Sequence, residues 1–355
     1  MTRASVPELV AAVRAAVGAR ALSLMEVCGT HTVQLFRTGI KSMLPPGLRL
    51  VSGPGCPVCV TSQGYVDAAC RVSLRPGVAI CTYGDMVRVP GREGSLADHR
   101  GRGALVVVVY SARGALDYAR QHPDRQVIFL AVGFETTAPA TAAVVREAAA
   151  RGVANFTVFA CHKLVIPAME ALLSGGEVPI DGFLCPGHVS VIIGADAYRV
   201  IARRYGKPCA IAGFEPRQML EGILMLARQA AAGEARVENA YGVAVTPQGN
   251  RTARGFIEEV FEPGPAVWRA IGTIPGSGLL LRERYRDFDA VARHGLEIGP
   301  DYEPPGCLCG QVIQGKALPG ECALFGRRCT PTDPVGPCMV SSEGTCAAHF
   351  KYGRR

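Results

Sequence analysis

Cys56 and Cys59 stand two residues apart inside the stretch GPGCPVC, residues 53–59. A structural zinc would need two more ligands, normally a second CxxC or an HxxxH, and neither adjoins the pair. A thioredoxin-like redox pair opens a helix. Here Gly-Pro-Gly before the pair and Pro57 within it favour a rigid loop that keeps both sulfurs exposed. Redox or metal-handling thiols suit this pattern better than a closed zinc site. A second constellation is Cys28-Gly29-Thr30-His31-Thr32. A thiolate and an imidazole three residues apart at a turn can reach one metal ion. A helix capped by Thr30 or Thr32 would set Cys28 beside a positive N-terminus and lower its thiol pKa. The plainer alternative is a buried cysteine and a capping histidine. Glu135 has its own plain alternative, a carboxylate favoured at a helix start by the dipole.

The C-terminal segment is richer. Cys307, Cys322, Cys329 and Cys346 follow the spacing C-x14-C-x6-C-x16-C, with Cys309 and Cys338 interspersed. Four thiolates in a Gly/Pro-rich segment with little periodicity suit an iron–sulfur cluster or a zinc. Six thiols exceed what one such centre needs. The two spares then form a redox dithiol, or the six divide between two structural zincs.

These residues must be positioned by ordinary elements. Charged residues make up 19% of the 355-residue chain and apolar ones 48%, which describes a globular protein with an ample core. The net charge of +8 comes without a basic block and interleaved aromatics, so nucleic-acid binding is not indicated. Glu8, Arg14 and Arg20 interrupt any signal-peptide stretch, and Ser5 with Glu8 has capping-box spacing for an amphipathic helix. The apolar run LVVVV at 105–109 is too short to span a bilayer. The reading is a soluble, cytoplasmic chain, in which clustered thiols point to metal or redox chemistry rather than static disulfides.

Short apolar runs at 22–27, 49–52, 78–83, 104–110, 126–132, 155–160, 182–185 and 208–214 predict strands. Helical patterns lie between, over 112–121, 138–151, 195–205 and 216–232. The alternation predicts parallel sheets of βαβ units. The fold class is α/β, with two such domains over 1–122 and 123–235. A smaller Cys-rich iron–sulfur domain over 236–355 follows. Several strands run directly into polar residues: Cys28 and His31, Cys56 and Cys59, Glu135 with Thr136 and Thr137, Cys161-His162-Lys163, and His188. Ligands of open parallel sheets bind beyond the carboxyl ends of strands, so these residues describe a site. Whether His162 and His188 touch a ligand or pack is left open by the sequence.

Taken together, EVCGTHT (26–32), GPGCPVC (53–59), TYGDMVRVPG (82–91), GFETTAP (133–139), CHKLVIPAM (161–169), CPGHVSVIIG (185–194), GFEP (213–216) and the cysteine-rich tail span nearly the whole chain. In these motifs the chain resembles the HypD family of hydrogenase maturation factors. The resemblance implies an assembly scaffold with redox activity rather than an enzyme with a defined turnover reaction. On such a scaffold iron acquires one carbon monoxide and two cyanides, with HypC as small partner and HypE as cyanide donor. The Fe(CN)2CO unit then passes to the hydrogenase large subunit. Carried over by position, Cys28 is the thiolate on the iron with His31 close by, and Cys56 and Cys59 are a redox dithiol. Cys307, Cys322, Cys329 and Cys346 hold a [4Fe–4S] cluster, with Cys309 and Cys338 the thiol pair beside it. Glu135, Thr136 and Thr137 line the same cleft as hydrogen-bonding groups. Two rivals remain: an iron–sulfur-dependent thiol/disulfide oxidoreductase, and a zinc-stapled interaction module.

Overall fold

Each of the eight apolar runs forms a strand in the computed structural model, which describes residues 4–176 and 178–353. They are β1 (Leu22–Glu26), β2 (Leu48–Ser52), β3 (Val78–Thr82), β4 (Leu105–Val108), β5 (Gln126–Gly133), β6 (Phe156–His162), β7 (Gly182–Pro186) and β8 (Cys209–Ala212). A short β9 (Val237–Asn239) follows. All pair in parallel, in two sheets of order β2-β1-β7-β8-β9 and β4-β3-β5-β6. The runs are apolar on both faces because helices cover both faces. In β3 and β7 every residue is buried.

The break expected at residue 122 is not where the sheets divide. The first sheet draws on 22–52 and again on 182–239, and the second is the uninterrupted segment 78–162 between them. Strand order is decided by long-range packing that a linear pattern does not carry.

The helix Val6–Val17 starts with the capping box of Ser5 and Glu8. Its apolar stripe, Leu9, Val10, Val13 and Val17, packs in one cluster with Leu220, Ile223 and Ala227 of the helix Pro216–Ala232. Burying each such leucine, isoleucine or valine contributes roughly 1.5–3 kcal/mol. That helix, Ala112–Gln121 and Ala138–Ala150 lie within a residue of their predicted spans, whereas 195–205 divides into a 3-10 turn, Ala195–Tyr198, and the helix Arg199–Tyr205.

After residue 240 the chain leaves the parallel sheets. Asn250 caps a helix, Arg251–Val260, by accepting from the Ala253 amide at 3.0 Å. It leads into an antiparallel hairpin, β10 (Phe261–Trp268) and β11 (Gly272–Leu281). Beyond 295 the described residues form only short helices, Cys309–Ile313, Pro337–Val340 and Thr345–Tyr352, and a 3-10 turn, Pro319–Glu321. This tail does not stand apart. Cys309, Val312, Ile313, Cys338, Met339 and Val340 are buried in the same cluster as Met25, Val51, Cys56 and Cys59. No helix among the described residues is long and apolar enough to cross a membrane.

Candidate functional site

The carboxyl ends of strands from both sheets face one cleft of about 560 Å³. β1 delivers Val27, Cys28 and Thr30, and the turn after β2 delivers Gly55, Pro57 and Val58. β3 leads to Tyr83 and Asp85, β4 to Tyr110, β5 to Thr136 and Thr137, and β7 to His188. The tail closes one side with Ser341, Ser342 and Glu343.

Cys28 is itself the N-cap of the helix Gly29–Arg37, so neither Thr30 nor Thr32 caps it. The amides of His31 and Thr30 and the Thr30 hydroxyl face the sulfur and favour its thiolate. Burial outweighs them and pushes the free thiol up to about 12, the reverse of the lowering expected from the helix terminus alone. The turn before the CxxC presses on this residue. Gly29 N–H donates to Gly55 O at 3.1 Å, and a Cβ at Gly55 would sit 2.2 Å from the Cys28 nitrogen. Only glycine permits that approach.

His31 does not reach into the cleft with Cys28. Its Nε2 lies 3.2 Å from Ala212 O and 3.0 Å from Gly213 O, so this nitrogen carries the proton and donates. Its Nδ1 is buried without a partner. Burial lowers its pKa to about 4 and keeps it neutral. The cleft histidine is instead His188, which is exposed and lies against Phe214 at a ring separation of 4.1 Å. His162 packs: its Nε2 lies 3.3 Å from Thr141 Oγ1, and burial lowers its pKa to about 3.

Cys56 and Cys59 are joined by a disulfide and buried, at 5% and 0% exposure, rather than displayed on an open loop. Pro57 is the first residue of a helical turn, Pro57–Val60, whose N-cap is Cys56; its sulfur accepts from Cys59 N–H at 3.2 Å. Proline at that position is preorganised for a helix start. The pair therefore does open a helix, of one turn.

Thr136 and Thr137 line the cleft. Glu135 does not. It lines a second cavity, also about 560 Å³, with Leu164, Ile166, Ile193 and Phe261. Its Oε1 accepts from Val165 N–H at 2.9 Å, its Oε2 has no partner, and burial raises its pKa to about 7.

In the tail, Cys307, Cys309, Cys338 and Cys346 form a continuous run of thiol contacts, 307 to 309 to 338 to 346. The hydrogen bond that Cys307 donates to Cys309, and then burial, holds the Cys307 thiol above its ordinary value. Cys346 N–H donates to Cys338 Sγ at 3.2 Å, and Val335 N–H to Cys329 Sγ at 3.3 Å. Cys322 lies at the margin, its sulfur 3.7 Å from Gly306 O. Among the described residues no three His, Cys, Asp or Glu side chains converge on a point that would hold a single metal ion. The donor chemistry of the segment is nonetheless all thiol, which suits iron–sulfur ligation.

Two roles were not legible in the sequence. Asp85 Oδ2 accepts from Ser342 N–H at 2.9 Å, from Ser342 Oγ at 3.1 Å and from Ser341 Oγ at 3.4 Å. Thr30 Oγ1 donates to Glu343 Oε1 at 2.6 Å. These bonds fasten the tail to the cleft. Asp85 lies in the TYGDMVRVPG motif, but its partners lie some 256 residues away and give no local signal.

The family model described as HypD, "Hydrogenase formation hypA family", matches residues 4–353. The chain is 47% identical over 340 residues to the hydrogenase maturation factor HypD of Cupriavidus necator, covering 94% of this chain and 90% of that protein. It is 47% identical over 344 residues to the HypD of Azotobacter vinelandii, covering 95% and 90%. With the HypD of Escherichia coli K12 the identity is 44% over 334 residues, covering 94% and 90%. A match of this extent shows that the chain belongs to the HypD family of hydrogenase maturation factors.

Proposed function

We propose that this hydrogenase maturation factor is the scaffold on which the Fe(CN)2CO unit is assembled with HypC and HypE before it passes to the hydrogenase large subunit. The observation that carries the proposal is the placement of Cys28. It lies where strands of both sheets end, against the GPGCPVC turn, whose far side packs in one core with the tail cysteines.

Iron is the cargo here, and Cys28 is its thiolate anchor. A soft thiolate suits low-spin ferrous iron better than oxygen ligands do. The free thiol is protonated at neutral pH, so binding iron must release that proton. The His31 and Thr30 amides then stabilise the sulfur's charge. His31 serves by pinning the helix that carries those amides to the Ala212 and Gly213 carbonyls. Thr136 and Thr137 line the same cleft. Cys307, Cys322, Cys329 and Cys346 would hold a [4Fe–4S] cluster, which when bound supplies single electrons. Cys309 and Cys338 would be the dithiol beside it, and Cys56 and Cys59 the dithiol next to the cargo. Thiol pairs close in space exchange by thiolate attack on a disulfide.

The test is an infrared spectrum of the protein purified without oxygen together with HypC, as wild type and as Cys28→Ala. Cyanide and carbon monoxide stretches are expected in the wild type and absent in the variant. Bands that survive in the variant would move the anchor off Cys28. No bands in either, with turnover of a protein disulfide by the intact chain, would replace the scaffold with a thiol/disulfide oxidoreductase.

A further inference from the structure

The second cavity, of about 560 Å³, has no part in the scaffold reading. Its walls are mostly apolar, with Leu164, Ile166, Ile193, Ile257, Phe261 and Leu279 among them. These residues come from the helices Val165–Gly175, Gly187–Ile193 and Arg251–Val260, from the residue before the first of them, and from the hairpin. A concave, largely apolar space of a few hundred Å³ with a few fixed polar groups is the common form of a small-molecule site.

The buried polar group here is Glu135, 4% exposed. Its Oε1 accepts from Val165 N–H at 2.9 Å, and its Oε2 is buried without a hydrogen-bond partner among the described residues. The other charged side chains on the wall already have partners. Arg254 pairs with Glu258 at 3.5 Å, Arg282 with Glu262 at 3.2 Å and Asp196 with Arg199 at 2.8 Å. Burial and backbone amides act on the Glu135 carboxyl, and no neighbouring charge does. A buried carboxylate without a cation is costly, and a glutamine would hold the Val165 amide as well. A glutamate makes sense at this place where a cation arrives from outside the chain. A metal ion does not fit, because it needs several donor atoms. No group of three His, Cys, Asp or Glu that could hold one exists among the described residues. An ammonium is satisfied by a single carboxylate, and its carbon chain suits apolar walls.

We infer that this cavity binds a small primary amine, with its ammonium on Glu135 Oε2 and its hydrocarbon body against Ile166, Ile257 and Phe261. The site is independent of the scaffold reading, since the cavity and the cleft share no lining residue.

The experiment titrates the full chain, prepared without oxygen, with n-hexylamine and separately with n-hexanol, by isothermal calorimetry at pH 8. At that pH the carboxyl, with a pKa of about 7, is ionised. One n-hexylamine per chain is expected to bind about tenfold more tightly than the alcohol, the difference a charge-assisted hydrogen bond supplies. Glu135→Gln, which keeps an acceptor for Val165 N–H, is expected to bring the two probes within about threefold of each other. Ile257→Trp, which fills the cavity and leaves the carboxyl in place, is expected to weaken amine binding about tenfold or more. Equal binding of amine and alcohol by the wild type would overturn the inference. So would amine binding unchanged in Glu135→Gln, or none at all up to about 10 mM. Should Glu135→Gln not fold, Ile257→Trp decides, and undiminished amine binding in that variant would place the amine elsewhere and overturn the site.

Discussion

Glu135 shows how far a residue's chemistry depends on which way its side chain turns. The GFETTAP motif sits at the end of β5, where successive side chains diverge, and Thr136 faces the cleft while Glu135 lines the cavity behind it. Motif membership alone does not carry that direction. The carboxyl protonates near pH 7 in the fold against 4.5 ordinarily, because burial disfavours its charge. A folded pKa above the unfolded one means stability that is fully present below pH 4.5 and lost as pH rises through 7. The loss is of order 3 kcal/mol. Glu135→Gln keeps an acceptor for Val165 N–H and removes the charge. Its unfolding free energy should exceed the wild type's by about that amount at pH 8, with the gap closing by pH 4.5. Denaturant melts at both values check it, and a gap that did not change with pH would refute the burial argument. Helix rotation does the same at His31: CGTHT suggested two metal ligands, but the third residue of the helix Gly29–Arg37 turns toward the carbonyls after β8.

At the scale of elements, the CxxC turn and the tail loop behave differently from their sequence patterns for identifiable reasons. Pro57 reads as a loop stiffener, yet proline serves equally at the first position of a helix, and the flanking apolar residues Val58 and Val60 draw the turn inward. The tail loop 341–343 has no periodicity at all and is held by polar contacts. Asp85→Ala removes the acceptor of three of them. Bonds to a charged group contribute about 1.5–3 kcal/mol each. Hydrogen exchange of peptides within 338–346 should therefore accelerate at least tenfold in this variant, with β5 unchanged. Equal exchange in both proteins would mean that packing against Gly29, where a Cβ would meet Glu343 at 2.6 Å, holds the loop without Asp85.

At the scale of the whole molecule, the strands were legible because each is an apolar run bounded by turn residues, and the sheets were not, because their order joins segments more than a hundred residues apart. The second sheet is encoded without interruption, with its covering helices Gln63–Ser73, Ala112–Gln121 and Ala138–Ala150. A fragment of residues 62–164 should therefore unfold cooperatively. Residues 1–122 should not, since β1 and β2 lack β7 and β3 lacks β5. Circular dichroism melts of the two fragments decide the matter, and cooperative unfolding of 1–122 would show that the sheets are more separable than their interleaving implies. The wall formed by Ser341, Ser342 and Glu343 has a consequence in time. Thr30 and its partner Glu343 are 313 residues apart. At about 5–20 residues per second, roughly 15–60 seconds pass during synthesis between the two. Through that interval the nascent chain carries Cys28 without the last side of its cleft, so the place where cargo would be held is among the final parts of the protein to come into being.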